Sequence, residues 1–176
     1  MRKLTHQEIV DRQQHRAKEK AIPLIVVLDN IRSLHNVGAI FRTADGVGVE
    51  KLWLCGITGF PPQSQITKTA LGAEDRVPWE HSHDVLAVVR SLKDQGYAII
   101  ALEQTEQSLN FDQFEVLFPI CLIVGNEIEG ISLELLSLCD GAVEIPMAGA
   151  KNSLNAAVAF GVVAYQIRSQ FAKLGD

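Results

Sequence analysis

The amino-acid sequence predicts an α/β protein with a mostly parallel sheet flanked by helices. Short apolar runs rich in β-branched residues alternate along the chain with longer segments of helical pattern. This alternation is typical of parallel sheets, because parallel strands need a crossover connection that usually contains a helix. No stretch of the 176 residues approaches the roughly 20 apolar residues of a membrane span, so we expect one soluble domain.

Six strands are predicted, each a short run of apolar and often β-branched side chains. They lie at 24–29, 51–55, 76–79, 97–102, 119–124 and 142–145. Helices are predicted between and after these strands, at 36–45, 66–72, 82–94, 132–138 and 153–170. Helix-end signals support two of them, because Ser82 and Ser132 are suited to N-caps of 82–94 and 132–138, and Gly96 follows the end of 82–94.

A polar helix is predicted at the N-terminus, over residues 6–20. Thr5 and Glu8 have the spacing of a capping box, and Pro23 limits the helix at its other end. The net charge is −5, yet residues 1–20 carry six Lys or Arg against three Asp or Glu. We therefore expect a basic helical arm over 1–20 and a main domain over 21–176. The arm can be attracted to phosphate backbones, or it can simply be a solvated helix.

The cysteines and the first residues predict a reduced, cytoplasmic protein. Cys55, Cys121 and Cys139 are odd in number, lie far apart and form no CxxC pair, which argues against a disulfide framework or a zinc site. The N-terminus is polar and contains no apolar signal segment. His81 and His83 are a close pair without a third ligand, so no metal site is predicted.

Two polar segments follow predicted strands, at the sheet edge where parallel α/β proteins bind ligands. After the first strand, Asn36 can cap the next helix, and Arg42 lies six residues later. Taken alone, Asn36 can equally be only a cap and Arg42 only a surface charge. After the fifth strand, the turn 125–130 reads Gly-Asn-Glu-Ile-Glu-Gly and exposes backbone donors and acceptors. Its two carboxylates disfavour phosphate binding.

A third polar segment follows the last strand and leads into an almost wholly apolar helix. Ser153 is predicted to begin that helix, and Asn155 lies in its first turn, where a helix start presents polar groups to a ligand. The helix is rich in Ala and Gly, which predicts close packing against the domain or a second subunit. The chain contains no GxSxG, GxGxxG or Walker A sequence. A serine hydrolase and an enzyme of nucleotide or dinucleotide chemistry are therefore both disfavoured.

In this order, the three segments resemble the sequence motifs of the SpoU (TrmH) family of RNA ribose methyltransferases, within the SPOUT superfamily. The matches are NxGAIxRTA at 36–44, IVGNExxG at 123–130 and IPMxGxxxSLN at 145–155. The resemblance implies transfer of a methyl group from S-adenosylmethionine to a ribose 2′-hydroxyl of structured RNA, either tRNA or rRNA. It also implies a homodimer and a C-terminal trefoil knot, which the strand pattern itself does not predict.

The resemblance also implies roles for residues at matching positions. Residues used for catalysis and substrate placement would be Asn36, Arg42, Glu127, Ser153 and Asn155. The cofactor would lie in a cleft of the knot loops, held by Leu102, Gly125, Glu127, Ile145, Met147 and Leu154. The family assigns the arginine a general-base role. Because guanidinium groups stay protonated in proteins, an electrostatic role for Arg42 is the open alternative.

A non-catalytic RNA-binding homodimer on the same scaffold is the main competing interpretation. It is disfavoured because a protein that only binds RNA has no chemical reason to keep all five polar positions of the motifs. In both interpretations we expect RNA as the partner, with no DNA and no membrane involved.

Overall fold

The computed structural model describes residues 1–16 and 21–174, and within them seven strands form one sheet. The strands are β1 (Ile22–Asp29), β2 (Val49–Cys55), β3 (Trp79–Ser82), β4 (Ala98–Leu102), β5 (Leu109–Asn110), β6 (Ile120–Val124) and β7 (Gly141–Glu144). Their spatial order is β3-β2-β1-β6-β4-β7-β5, and every ladder between neighbours is parallel. The prediction of a mostly parallel α/β sheet is confirmed.

Helices cover both faces of this sheet. The α-helices of the described residues are α1 (His6–Arg16), α2 (Leu34–Val47), α3 (Ser64–Ala70), α4 (Val85–Asp94), α5 (Leu133–Leu136) and α6 (Ala156–Ala172). One face packs against α2 and α6, where Phe41 and Phe160 are fully buried. The other face packs against α4 and α5, around Val89 and Leu135. Because β1 and β6 are buried on both faces, their sequences are nearly continuous apolar runs.

The structure corrects the position of one predicted strand. The prediction of 76–79 is wrong, because the ladder between β2 and β3 begins only at Trp79 and runs to Ser82. Pro78 immediately before it has no N–H to donate, although its carbonyl accepts a hydrogen bond from Leu52 N–H at 2.9 Å. Residues 73–75, just before the predicted strand, form a 3₁₀ turn.

Three predicted helix starts are also wrong. Ser33, not Asn36, caps α2, and its hydroxyl accepts from the Asn36 N–H. Asp84, not Ser82, caps α4. Asn155 caps α6 by accepting from Ala157 and Val158 N–H, so Ser153 lies before the helix rather than at its start. In each case another residue with an oxygen acceptor lies within three positions of the predicted cap, so composition alone cannot choose between them.

Other local predictions are confirmed. Thr5 N–H donates to Glu8 at 2.8 Å and Glu8 N–H donates to the Thr5 hydroxyl at 3.3 Å, which is the predicted capping box. The predicted continuation of this helix over 17–20 lies outside the described residues. Ser132 caps α5, and Gly96 follows α4 with a positive φ of 87°.

The cysteines are free thiols, and two of the three are fully buried. Burial raises the pKa of Cys55 to about 12 and that of Cys139 to about 11, so both thiols stay protonated at neutral pH. Within residues 1–16 and 21–174, no cluster of three His, Cys, Asp or Glu side chains could hold a metal ion. No helix in that part of the chain is long and apolar enough to cross a membrane.

The contact between α2 and α3 depends on a glycine. A Cβ atom at Gly38 would overlap the Ile66 carbonyl oxygen and the Thr69 hydroxyl, so the two helices would have to move apart. We expect Gly38→Ala to lower the free energy of unfolding by about 1–3 kcal/mol in urea denaturation. Gly149→Ala is the control, because nothing lies within 4 Å of the added carbon. Equal stability of the two variants would contradict this account of the contact.

Candidate active site

A cleft of about 550 Å³ opens at the carboxyl ends of β4, β6 and β7. Parallel α/β proteins bind ligands at this edge, because the loops that follow the strands converge there. The cleft is lined by the turn 125–131, by the start of the loop after β4, and by residues 152–156 before and at the start of α6. Its volume lies within the roughly 300–1,000 Å³ that is usual for small-molecule sites.

Glu127 connects this cleft to the start of α2. One carboxylate oxygen accepts from Arg32 N–H at 2.9 Å, and the other accepts from Ser33 N–H at 3.1 Å and from Asn36 Nδ2 at 2.9 Å. A carboxylate near the N-terminus of a helix is also stabilised by the positive end of the helix dipole. Glu127 therefore fixes both the backbone that leads into α2 and the side chain of Asn36.

These contacts explain the ionisation of Glu127. Partial burial raises its pKa, but the hydrogen bonds from Arg32, Asn36 and Ser33 together outweigh burial, so the pKa lies below its ordinary value. Glu127 is consequently ionised at neutral pH, and in that form it is an acceptor only.

Asn155 completes a chain of three polar side chains. Its Nδ2 donates to Asn36 Oδ1 at 2.9 Å, while its Oδ1 accepts from the first N–H groups of α6. The amide of Asn36 is thus held at both ends, with its nitrogen on Glu127 and its oxygen on Asn155. These hydrogen bonds link three segments that are distant in the sequence. Asn36 lies 91 positions from Glu127 and 119 positions from Asn155.

Two residues to which the sequence assigned no individual role, Asn30 and Asn126, support the turn. Asn30 has a left-handed backbone, with φ of 56°, and its Oδ1 accepts from Ile57 N–H at 3.1 Å. Asn126 donates to the Asn30 carbonyl at 2.8 Å, and its own Oδ1 accepts from Ile128 and Glu129 N–H. Because Asn tolerates left-handed backbone, Asn30 can join the ends of β1, β2 and β6.

Glu103, the residue after β4, is a third missed contributor. Its carboxylate accepts from Gln104 N–H at 2.9 Å and from Ile131 N–H at 3.0 Å. A Cβ at Gly130 would overlap this carboxylate, and a Cβ at Gly125 would lie 2.7 Å from the Gly130 carbonyl carbon. The turn therefore needs both glycines for close backbone approach. The sequence signal for Glu103 is its position directly after β4, at the carboxyl edge of the sheet.

Most of the predicted site residues lie together. Leu102, Gly125, Glu127, Ile145, Ser153, Leu154 and Asn155 line the cleft. Met147 does not, and it lines an adjoining pocket of about 340 Å³ that shares Gln104, Glu144, Ile145 and Asn152 with the cleft. Asn36 does not line the cleft itself, but it is hydrogen-bonded to Glu127 and Asn155, which do. Arg42 lies on an exposed part of α2 and does not line the cleft.

The fold and the site together define an α/β protein with a small-molecule cleft built from loops at the carboxyl edge of a parallel sheet. Residues 23–165 match the model of the SpoU rRNA Methylase family. The chain belongs to this family, which confirms the resemblance inferred from the motifs.

Individual relatives agree with this membership. The chain is 33% identical to a tRNA (guanosine(18)-2′-O)-methyltransferase of Aquifex aeolicus, over 86% of this chain and 72% of that protein. It is 30% identical to a TrmH-family relative from Staphylococcus saprophyticus, over 93% of this chain but only 65% of the relative, which is therefore substantially longer.

Two solved structures have the same fold. The TrmH/SpoU tRNA modifying enzyme of A. aeolicus superposes with a TM-score of 0.83 at 30% identity, covering 96% of this chain and 85% of that one. The SpoU methyltransferase AviRb of Streptomyces viridochromogenes, solved in complex with AdoMet, superposes with a TM-score of 0.80 at 26% identity. That match covers 90% of this chain and 64% of AviRb.

Proposed function

We propose that this protein is an S-adenosylmethionine-dependent methyltransferase that acts on a ribose 2′-hydroxyl of tRNA or rRNA. The observation that carries the proposal is the Glu127–Asn36–Asn155 chain at the cleft, formed by all three motifs that identify the family. The named relatives modify tRNA or rRNA, and AviRb was solved with AdoMet, the same cofactor.

The cleft fits this cofactor. Leu102, Ile145 and Leu154 supply apolar surface, and Gly125 supplies backbone that lines the cleft. The carboxylates of Glu103 and Glu144 also line the cleft, and they suit a ligand that carries positive charge on its sulfonium and amino groups. We include Gly125, Glu127 and Met147 with the three apolar residues as cofactor-binding. When bound, the cofactor supplies the electrophilic methyl group.

The protein's own residues place the ribose. Asn36 and Asn155 hold each other in fixed orientation, so they present a rigid polar surface beside the cleft, and Ser153 adds a hydroxyl there. Glu127 positions Asn36. Such orientation can lower a reaction barrier by roughly 7–11 kcal/mol when the reacting atoms are held in line. Arg42 binds RNA and stabilises the developing alkoxide, and the hydroxyl proton passes to water rather than to Arg42, because guanidinium is not a base at neutral pH.

Family membership supports a proposal for the wider assembly. We propose a homodimer formed through α6, where Val158 is 53% exposed and Tyr165 is 54% exposed within the apolar stretch 156–165. Residues 1–20 act as a basic arm that attracts RNA, and 21–176 form the methyltransferase domain.

A C-terminal trefoil knot is supported by the insertion of β6 between β1 and β4, and by the hydrogen bond that joins Gln104 after β4 to Asn152 before α6. Substrates of this kind imply a cytoplasmic location.

Calorimetry with S-adenosylmethionine tests the proposal. We expect one cofactor per chain to bind, and absence of binding would contradict the proposed function. Maps of 2′-O-methylation in total tRNA and rRNA, compared with and without the protein, then separate an enzyme from a binding protein. A site that vanishes without the protein identifies the substrate. Cofactor binding without any lost site, and without methyl transfer to unmodified RNA, would favour the non-catalytic alternative.

A further inference from the structure

Four aromatic rings form a row along the edge strand of the sheet and the loop after β2. We call this the aromatic row: Phe60, Trp79, His81 and His83. Phe60 stacks on Trp79 with ring centroids 6.1 Å apart, and lies 4.6 Å from the His81 ring. His83 continues the row edge-on to His81, at 4.7 Å. The row therefore runs outward from Trp79 to His83, which is exposed.

Packing accounts for the inner end of the row but not for the outer end. Trp79 is anchored edge-on against the fully buried Phe41 of α2, at 6.5 Å. His81 bonds through Nε2 to the Gly56 carbonyl at 3.2 Å, which fixes its ring. Phe60 covers Trp79 yet remains 40% exposed, so much of its ring surface contributes nothing to the core.

The aromatic row is continuous with the candidate active site. Trp79 lies on the same face of the sheet as α2, whose first turn holds Asn36. The segment that enters α2 touches both regions, because Arg32 N–H bonds to Glu127 while the Leu34 side chain packs against Gly59, next to Phe60. Strands β1 and β3 are two strand spacings apart, about 10 Å. The exposed side chains of Arg32 and His35 lie on the intervening segment.

We propose that Phe60 and His83 form a stacking surface for an unpaired base of the RNA substrate, near the nucleotide that is methylated. This inference rests on the proposed function. Single-stranded bases of RNA are recognised largely by stacking on Phe, Tyr, Trp and His side chains, and such stacking tolerates every base. Because Leu34, two residues before Asn36, packs against Gly59, the surface adjoins the first turn of α2, which suits contact with a neighbouring nucleotide on the same strand. The carboxylate of Asp84, beside His83, is engaged as the cap of α4.

The test is RNA binding by Phe60 variants of the full chain. We expect Phe60→Leu, which keeps apolar bulk but loses the ring, to weaken binding of unfractionated tRNA or rRNA about tenfold at physiological salt. That change matches roughly 1–3 kcal/mol of stacking per base. Phe60→Tyr keeps the ring and should bind within twofold of wild type. Leu117→Ala shortens an apolar side chain that is even more exposed, at 74%, outside the aromatic row, and it should change nothing.

Cross-linking with RNA that contains 5-bromouridine gives an independent measurement. We expect cross-linked peptides to include residues 57–83. Wild-type RNA affinity in Phe60→Leu, together with no cross-link in this region, would overturn the inference. Equal weakening of RNA binding in Phe60→Leu and Phe60→Tyr would also overturn it. Cofactor affinity should be unchanged in every variant. Absence of cofactor binding by the wild-type protein would instead contradict the proposed function. Failure of the inference and failure of the proposed function are therefore distinguishable.

Discussion

Replacing Arg42 with alanine should reduce the rate of methyl transfer by about 100- to 1,000-fold while leaving affinity for S-adenosylmethionine within twofold of wild type. Loss of one preorganised group that stabilises developing negative charge has an effect of this size. Cofactor affinity should survive because Arg42 lies outside the cleft. Stability should also survive, because the side chain is exposed on α2. Single-turnover rates on unmodified RNA and calorimetry measure the two quantities.

Arg90→Ala is the matched control, since Arg90 is exposed on α4, which packs on the opposite face of the sheet. It removes the same charge and should leave the rate unchanged. Near-normal turnover of Arg42→Ala would show that Arg42 is not catalytic. A similar loss in both variants would mean that overall charge, rather than Arg42 itself, controls the encounter with RNA.

The sheet was largely predictable because its central strands are buried on both faces. β1 and β6 therefore appear in the sequence as nearly unbroken apolar runs, and both predictions lie within two residues of the observed bounds. β5 was missed because two residues, Leu109–Asn110, carry no periodic pattern. β3 was misplaced because Val77 and Trp79 suggested a strand that Pro78 interrupts.

The components of the site were predictable, but their arrangement was not. Strand-end residues are visible in the sequence, and the motif resemblance named Asn36, Glu127 and Asn155 as members of one site. Their contacts depend on β6 lying beside β1, although four strands and three α-helices separate the two along the chain. Local sequence patterns do not encode strand order. Asn30 was missed for a related reason, because its function is to join three loops that only the fold brings together.

Glu127→Gln should have the second large effect, and unlike Arg42→Ala it should weaken cofactor binding as well as methyl transfer. The carboxylate accepts three N–H groups through its two oxygens. A glutamine of the same shape offers one acceptor oxygen, and its NH₂ group must then face at least one N–H donor. Hydrogen bonds to charged groups contribute roughly 1.5–3 kcal/mol each. We expect a ten- to hundredfold loss of cofactor affinity and a larger loss of rate, because Asn36 is released too.

The dependence on pH distinguishes this explanation from a general loss of folding. A carboxyl whose pKa is lowered in the folded state stabilises the fold above its unfolded pKa, and the contribution disappears as the pH falls through the folded pKa. The ordinary pKa of Glu127 is 4.5, so the stability difference between wild type and Glu127→Gln should be full at pH 7 and should shrink below about pH 4.5. Urea denaturation at several pH values measures it. Glu134→Gln, an exposed change on α5, is the control. A stability difference that stays constant down to pH 3 would show that the hydrogen bonds to the ionised carboxylate are not what holds the turn to α2.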